Sequence, residues 1–172
     1  MFNRSFYKRL VIGVDPALTC HETSDETGII VAGLGQDGYG YVLDDISGRY
    51  SPYQWSQKVT EAYRLYQADQ VVVETNAGGD MVGHTLRTLN PHIRIKDVRA
   101  ILSKTARALP IASLYKRHLI YHERPFEILE DQMCSYTLTG TKKSPDRVDA
   151  LVWALSDLML GPFRPPPTIW YV

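Results

Sequence analysis

Apolar and polar positions alternate along this chain in two different periods, and the switch between them marks the elements. Leu10–Ala17 is an almost continuous apolar run closed by Asp-Pro, which predicts a buried strand stopped by a turn. After a polar loop, Leu18–Asp25, two more runs follow, Thr27–Leu34 and Gly38–Asp44. The short glycine-bearing link between them predicts a hairpin, so the first three strands form an antiparallel meander.

The period then changes. Ser51-Pro52 supplies a cap and a proline at the first helical position, and Trp55, Val59, Ala62, Tyr63 and Tyr66 recur at steps of three and four. Gln70–Thr75 returns to a buried strand, Asn76–Gly79 turns into a helix reaching about Leu89, and Ile93–Ala100 reads as another strand. Strand, helix, strand in this order predicts a right-handed parallel crossover. Ser103–His118 has helical composition, although Pro110 is expected to break or kink it, and Arg124–Tyr136 is a further helix candidate. Ser144-Pro145 opens the last helix, whose core stripe is Val148, Leu151, Val152, Leu155 and Met159. The predicted fold is therefore α/β: a mixed sheet of three antiparallel strands followed by a parallel βαβ unit, flanked by helices. One domain over residues 1–161 is expected, with an extended Pro-rich tail at 162–172.

Composition changes this picture little. A chain of 172 residues, 44% hydrophobic and 22% charged, suits a single folded domain. It has no apolar run of the roughly 20 residues that span a bilayer, so no membrane partner is expected. Two distant cysteines, Cys20 and Cys134, make no disulfide framework, which points to a reducing cytoplasm. The histidines lack the tight spacing of a zinc site. Net charge is zero but unevenly spread. Arg94–Arg124 holds eight Lys and Arg against Asp97 and Glu123, a local excess of +6 that predicts a basic face.

Carboxylates carry the candidate chemistry. Asp15 ends one apolar strand, and Glu74 ends another directly after three valines. Desolvating a carboxylate costs several kcal/mol unless something compensates it, and two acids meeting at neighbouring strand ends repel each other. A divalent cation with a preference for oxygen, Mg²⁺ or Mn²⁺, removes that repulsion. Asp149 flanks the apolar stripe of the last helix and is expected to face the sheet, with Asp146 one turn earlier. Each has a plainer reading. Asp15 before a proline suits a turn, Asp146 suits a helix N-terminus, and Asp149 suits an ion pair with Arg147 or a lysine.

With strand-end acids in VIGVDPA and VVVET and a helix acid in DRVDALVWAL, the chain resembles the ribonuclease-H-like nucleases. Within them it resembles the C-terminal nuclease domain of phage terminase large subunits. GVDPA, VVVETNAGGD, SKTARALPIASLYKRHLIYH, LEDQM and KSPDRVDALVWAL carry the likeness over about Leu10–Leu160. The resemblance implies that Asp15, Glu74 and Asp149 bind two metal ions, with Asp146 assisting, for hydrolysis of phosphodiester bonds in double-stranded DNA. It also implies action on concatemeric viral DNA in the host bacterial cytoplasm, beside a packaging ATPase domain, a small terminase subunit and a portal. No G-x-x-x-x-G-K-[ST] phosphate loop is present, so the chain is expected to be the nuclease part alone, either an excised domain or a stand-alone product.

Candidate DNA contacts are Lys104 and Arg107, one turn apart on a helix, with Lys116 and Arg117 farther along the same basic segment. Asn76, Gly78 and Gly79 follow Glu74, where a phosphate can approach the backbone. A Holliday-junction resolvase of the same superfamily stays open as an alternative, as does a non-catalytic ribonuclease-H-like or actin-like binding domain.

Overall fold

The computed structural model describes residues 2–17, 26–75, 79–136 and 145–161. A 3-10 turn at Arg4–Phe6 leads into β1 (Tyr7–Asp15), β2 (Gly28–Gly35), β3 (Gly40–Asp45), α1 (Pro52–Leu65) and β4 (Gln70–Glu74). Then come α2 (Gly79–Leu89), β5 (Ile95–Val98), α3 (Lys104–Lys116), β6 (Ile120–His122), α4 (Glu127–Ser135) and α5 (Asp146–Met159). The six strands lie in the order β5-β4-β1-β2-β3-β6. β1, β2 and β3 pair antiparallel, while β4 joins β1, and β5 joins β4, in parallel. The predicted mixed sheet is observed, with β6 added to it beside β3.

Each face of the sheet carries its own core. Alternate residues Leu10, Ile12 and Val14 of β1, with Val71 and Val73 of β4, pack against Trp55, Val59 and Ala62 of α1 and Val82 and Leu86 of α2. The opposite phase, Val11 and Val72, packs against α5 with Ile111 of α3 and Leu129 of α4. Because side chains alternate faces, continuing that second phase puts Asp15 and Glu74 on the α5 side.

Local signals explain most boundaries. Ser51 and Gln54 form a reciprocal capping box at the start of α1, with Pro52 at its first position. Ser103 caps α3, accepting from the Ala106 amide at 3.2 Å. Two expectations need correction, and one strand was not anticipated. The interruption at Pro110 is not a break, since α3 continues through it. Pro110 is exposed, so water can meet the carbonyl its missing N–H leaves unpaired. The helix expected from Arg124 begins at Glu127, after Pro125. A sixth strand, β6, extends the sheet parallel to β3 over residues to which the sequence pattern assigned no element; three residues are too few to show a period. The loop Leu18–Asp25, Asn76, Gly78, Ser144 and the tail at 162–172 lie outside the described residues.

Candidate active site

Register brings the two strand-end acids together. Val14 of β1 lies opposite Val73 of the parallel β4, so Asp15 and Glu74, each one residue farther on, emerge side by side at the carboxyl edge of the sheet. The third and fourth acids arrive on α5. That helix lies close on the sheet because the strands beneath it carry glycines. A Cβ at Gly13 would stand 2.2 Å from the Ala150 carbonyl oxygen, and one at Gly28 would stand 2.0 Å from that of Asp146. Gly28 is the register partner of Asp15, so the first turn of α5 rests over the strand end itself. Asp146 and Asp149 both lie in that turn, where the helix dipole favours negative charge, and both are buried.

Cations from α3 meet these acids. Lys104 Nζ bonds Asp149 Oδ2. Arg107 reaches Glu74 Oε2 at 3.4 Å and Asp149 Oδ1 at 3.7 Å, its guanidinium stacked 4.4 Å from the Trp153 ring centroid. Trp153 in turn donates its indole N–H to Glu74 Oε2 at 2.6 Å. Arg107 is only 8% exposed, whereas Lys104 is 47% exposed. Arg107 Nε is buried without a hydrogen-bond partner among the described residues, a donor left for an incoming acceptor.

The electrostatics follow from that crowding. Burial, then the charges of Asp149, Glu74 and Asp146, push the Asp15 carboxyl up to about 8, with Lys104 opposing. Asp149 is also raised, chiefly by burial, although Lys104 and Arg107 pull it back. Burial disfavours the Lys104 charge, but the bond to Asp149 and the fields of Asp149, Asp15 and Asp146 outweigh that and raise it. The site holds more negative charge than its own cations neutralise.

A divalent cation suits this donor set, which is all carboxylate oxygen and short of positive charge. As placed, however, no three Asp, Glu, His or Cys side chains among the described residues are grouped to hold one ion. Glu74 is turned to Trp153 and Arg107, and Asp149 to Lys104 and Arg107. Metal loading thus requires these carboxylates to exchange their internal cations for the ion.

Of the residues expected to contact DNA, Lys104 and Arg107 therefore sit within the acid cluster. Lys116 and Arg117 are exposed at the far end of α3, about 18 Å away along the helix axis. Gly79 is the first residue of α2. One contributor went unread in the sequence, and one was given another partner. Trp153 lies four residues after Asp149 and so shares its helix face, a spacing that was available. Arg147 does not bridge Asp149; it ties α5 to β3 by bonds to Asp45 at 2.7 Å, Glu26 at 3.0 Å and the Ser47 carbonyl at 3.3 Å.

Comparison with known proteins bears on the family and the fold. The profile of the family described as the terminase RNaseH-like domain matches residues 12–158. No curated protein sequence matches the chain. Among solved structures, the large terminase nuclease from thermophilic phage G20c with bound cobalt superposes with a TM-score of 0.66 at 16% identity, over 87% of this chain and 81% of that one. The same nuclease has been solved with magnesium and with zinc. The yeast mitochondrial Holliday junction resolvase Ydc2 gives 0.56 at 12% identity, over 87% of this chain and 77% of that one. RuvC of Thermus thermophilus gives 0.52 at 14% identity, over 86% and 91%. At such identities these likenesses speak for the fold.

Proposed function

The chain belongs to the family of terminase RNase H-like domains, and from that premise we propose that it is a metal-dependent endonuclease that cuts double-stranded DNA. The observation that carries this reading is the convergence of Asp15, Glu74 and Asp149 on one face at one edge of the sheet, with Asp146 beside them. A carboxylate set so underneutralised has an obvious complement in divalent cations, Mg²⁺ or Mn²⁺. Two such ions, when bound, lower the pKa of a water and offset charge on the phosphate and the leaving oxygen.

The chain's own residues supply the rest. Asp15 feels the charges of Asp149, Glu74 and Asp146 and is the natural shared ligand, with Glu74 and Asp149 as the other ligands and Asp146 assisting. Trp153 fixes Glu74 from α5. Lys104 and Arg107, once released from the carboxylates, are placed to receive the anionic phosphate that accompanies the metal, and Arg107 Nε already lacks a partner. Gly79 opens α2 and, with Asn76 and Gly78 of the same sequence stretch, is assigned to phosphate contact, while Lys116 and Arg117 take up the backbone farther along the duplex.

The biological setting we propose is phage or prophage genome packaging in the bacterial cytoplasm. There the domain, residues 1–161 followed by the Pro-rich segment 162–172, cuts concatemeric DNA beside a packaging ATPase, a small terminase subunit and a portal. A resolvase would use the same acids, so substrate decides between them. The test is cleavage of plasmid and linear duplex DNA in Mg²⁺ or Mn²⁺, beside a four-way junction. Cutting of plain duplex that EDTA stops and that Asp15→Ala or Glu74→Ala abolishes is expected. Cutting confined to junctions would move the assignment to a resolvase, and full activity in Asp15→Ala would remove it altogether.

A further inference from the structure

Five residues, 99–103, cross from β5 to α3, and both ends of this strap are fixed to the acid cluster. At one end Val98 pairs with Glu74, and its carbonyl accepts from the Thr75 amide at 2.9 Å. At the other, Ser103 caps α3 and Lys104 bonds Asp149. The apex between them is apolar and in water: Ile101 is 92% exposed and Leu102 is 58% exposed. Arg99 on one side and Lys104 on the other are exposed cations. Two large aliphatic side chains thus stand at the rim of a carboxylate cluster, flanked by positive charge, and they add nothing to the core.

Their surroundings restrict what they can touch. A duplex whose phosphate enters the acid cluster must pass the strap. Its backbone offers only anionic and polar surface, which Arg99 and Lys104 suit and which Ile101 and Leu102 do not. The extended apolar surfaces of DNA are the faces of its bases, and a side chain reaches them by entering a groove and opening a step. Resting on the nuclease reading above, we infer that Ile101 and Leu102 form a wedge. It enters the minor groove beside the bound phosphate and partly unstacks the neighbouring step, while Arg99 and Lys104 hold the flanking backbone. Distorting the duplex there costs stacking energy that the apolar contact and the phosphate contacts return. The wedge makes the substrate a deformable duplex, with flexible pyrimidine–purine steps favoured beside the cut.

The experiment places 2-aminopurine at successive positions of a duplex and follows its fluorescence as the full chain binds in Ca²⁺, with cleavage measured separately in Mn²⁺. The wild-type protein is expected to raise fluorescence several-fold at positions next to the cut. The double variant Ile101→Ser/Leu102→Ser replaces exposed side chains only. It should bind with the same salt slope, fail to brighten the probe, and cut about tenfold more slowly or worse. Lys104→Ala should instead lower the salt slope by about one while keeping the probe signal. A probe that stays dark with wild-type protein, or a double variant that brightens it and cuts as wild type does, overturns the wedge and leaves the nuclease reading intact. If the wild-type protein neither binds nor cuts duplex DNA, both fall.

Discussion

Trp153 of α5 donates its indole N–H to Glu74 Oε2 at 2.6 Å, so the carboxylate at the end of β4 is aimed from a helix that follows it late in the chain. Groups that orient a metal ligand from behind typically matter about 10–100-fold in affinity. Trp153→Phe keeps the ring under Arg107 and removes only the donor. Mn²⁺ titration by calorimetry is expected to show a loss in that range, with melting in EDTA nearly unchanged. Equal affinity in the two proteins would reduce Trp153 to a packing residue.

Arg107 compensates two buried carboxylates, Glu74 and Asp149, and is itself nearly buried. Removing one partner of a buried ion cluster leaves charge without compensation. Arg107→Ala is expected to cost about 2–4 kcal/mol in urea unfolding in EDTA, and saturating Mn²⁺ should shrink that difference by supplying the missing positive charge. A loss of the same size in both conditions would mean that Arg107 and the metal do not share ligands.

The proximity of α5 to the sheet can be tested at Gly28. An added Cβ would meet the Asp146 carbonyl at 2.0 Å, a backbone atom that cannot swing aside. Gly28→Ala is expected to destabilise the protein by about 1–3 kcal/mol, as overpacking does. It should also weaken metal binding, because the first turn of α5 lifts away from Asp15. An unperturbed Mn²⁺ affinity in a folded Gly28→Ala protein would contradict that coupling.

Acid pH should favour the metal-free fold. With its carboxyl raised from 3.8 to about 8, folded Asp15 holds its proton more tightly than the unfolded chain does. Its contribution to stability is fully present below about pH 4 and is lost as pH rises through 8. Asp149 shifts in the same direction. In EDTA the melting temperature is therefore expected to carry a declining component across pH 4–8, and Asp15→Asn should flatten it. Since the ion competes with the proton, the stabilisation that Mg²⁺ confers should grow over the same window. An unchanged pH slope in Asp15→Asn would assign the effect elsewhere.

What could be read in the sequence divides along physical lines. Strand periodicity placed Asp15 and Glu74 at strand ends, and helical spacing placed Asp149 toward the sheet, because both periods are local properties of the chain. β6 was missed because three residues carry no period and its partner, β3, lies far back in the chain. Lys104 and Arg107 were read as cations facing DNA, but composition says nothing about which way a side chain turns. The basic segment reads as a face for DNA, and the structure turns Lys104 and Arg107 inward onto Asp149 and Glu74. Trp153 was hidden by its chemistry, since a tryptophan on an apolar helix reads as core until a buried acceptor appears beside its N–H.

The glycine-cushioned seat of α5 has a further consequence, in the order of events at the ribosome. Asp15 and Glu74 are synthesised before the helix that brings Asp146 and Asp149, which is the last element in the described chain. The site is therefore built from contacts of great sequence separation and is completed only when nearly the whole domain has been made and has closed on itself. On the nuclease reading proposed above, a polypeptide that ends before α5 carries only half of the carboxylate set.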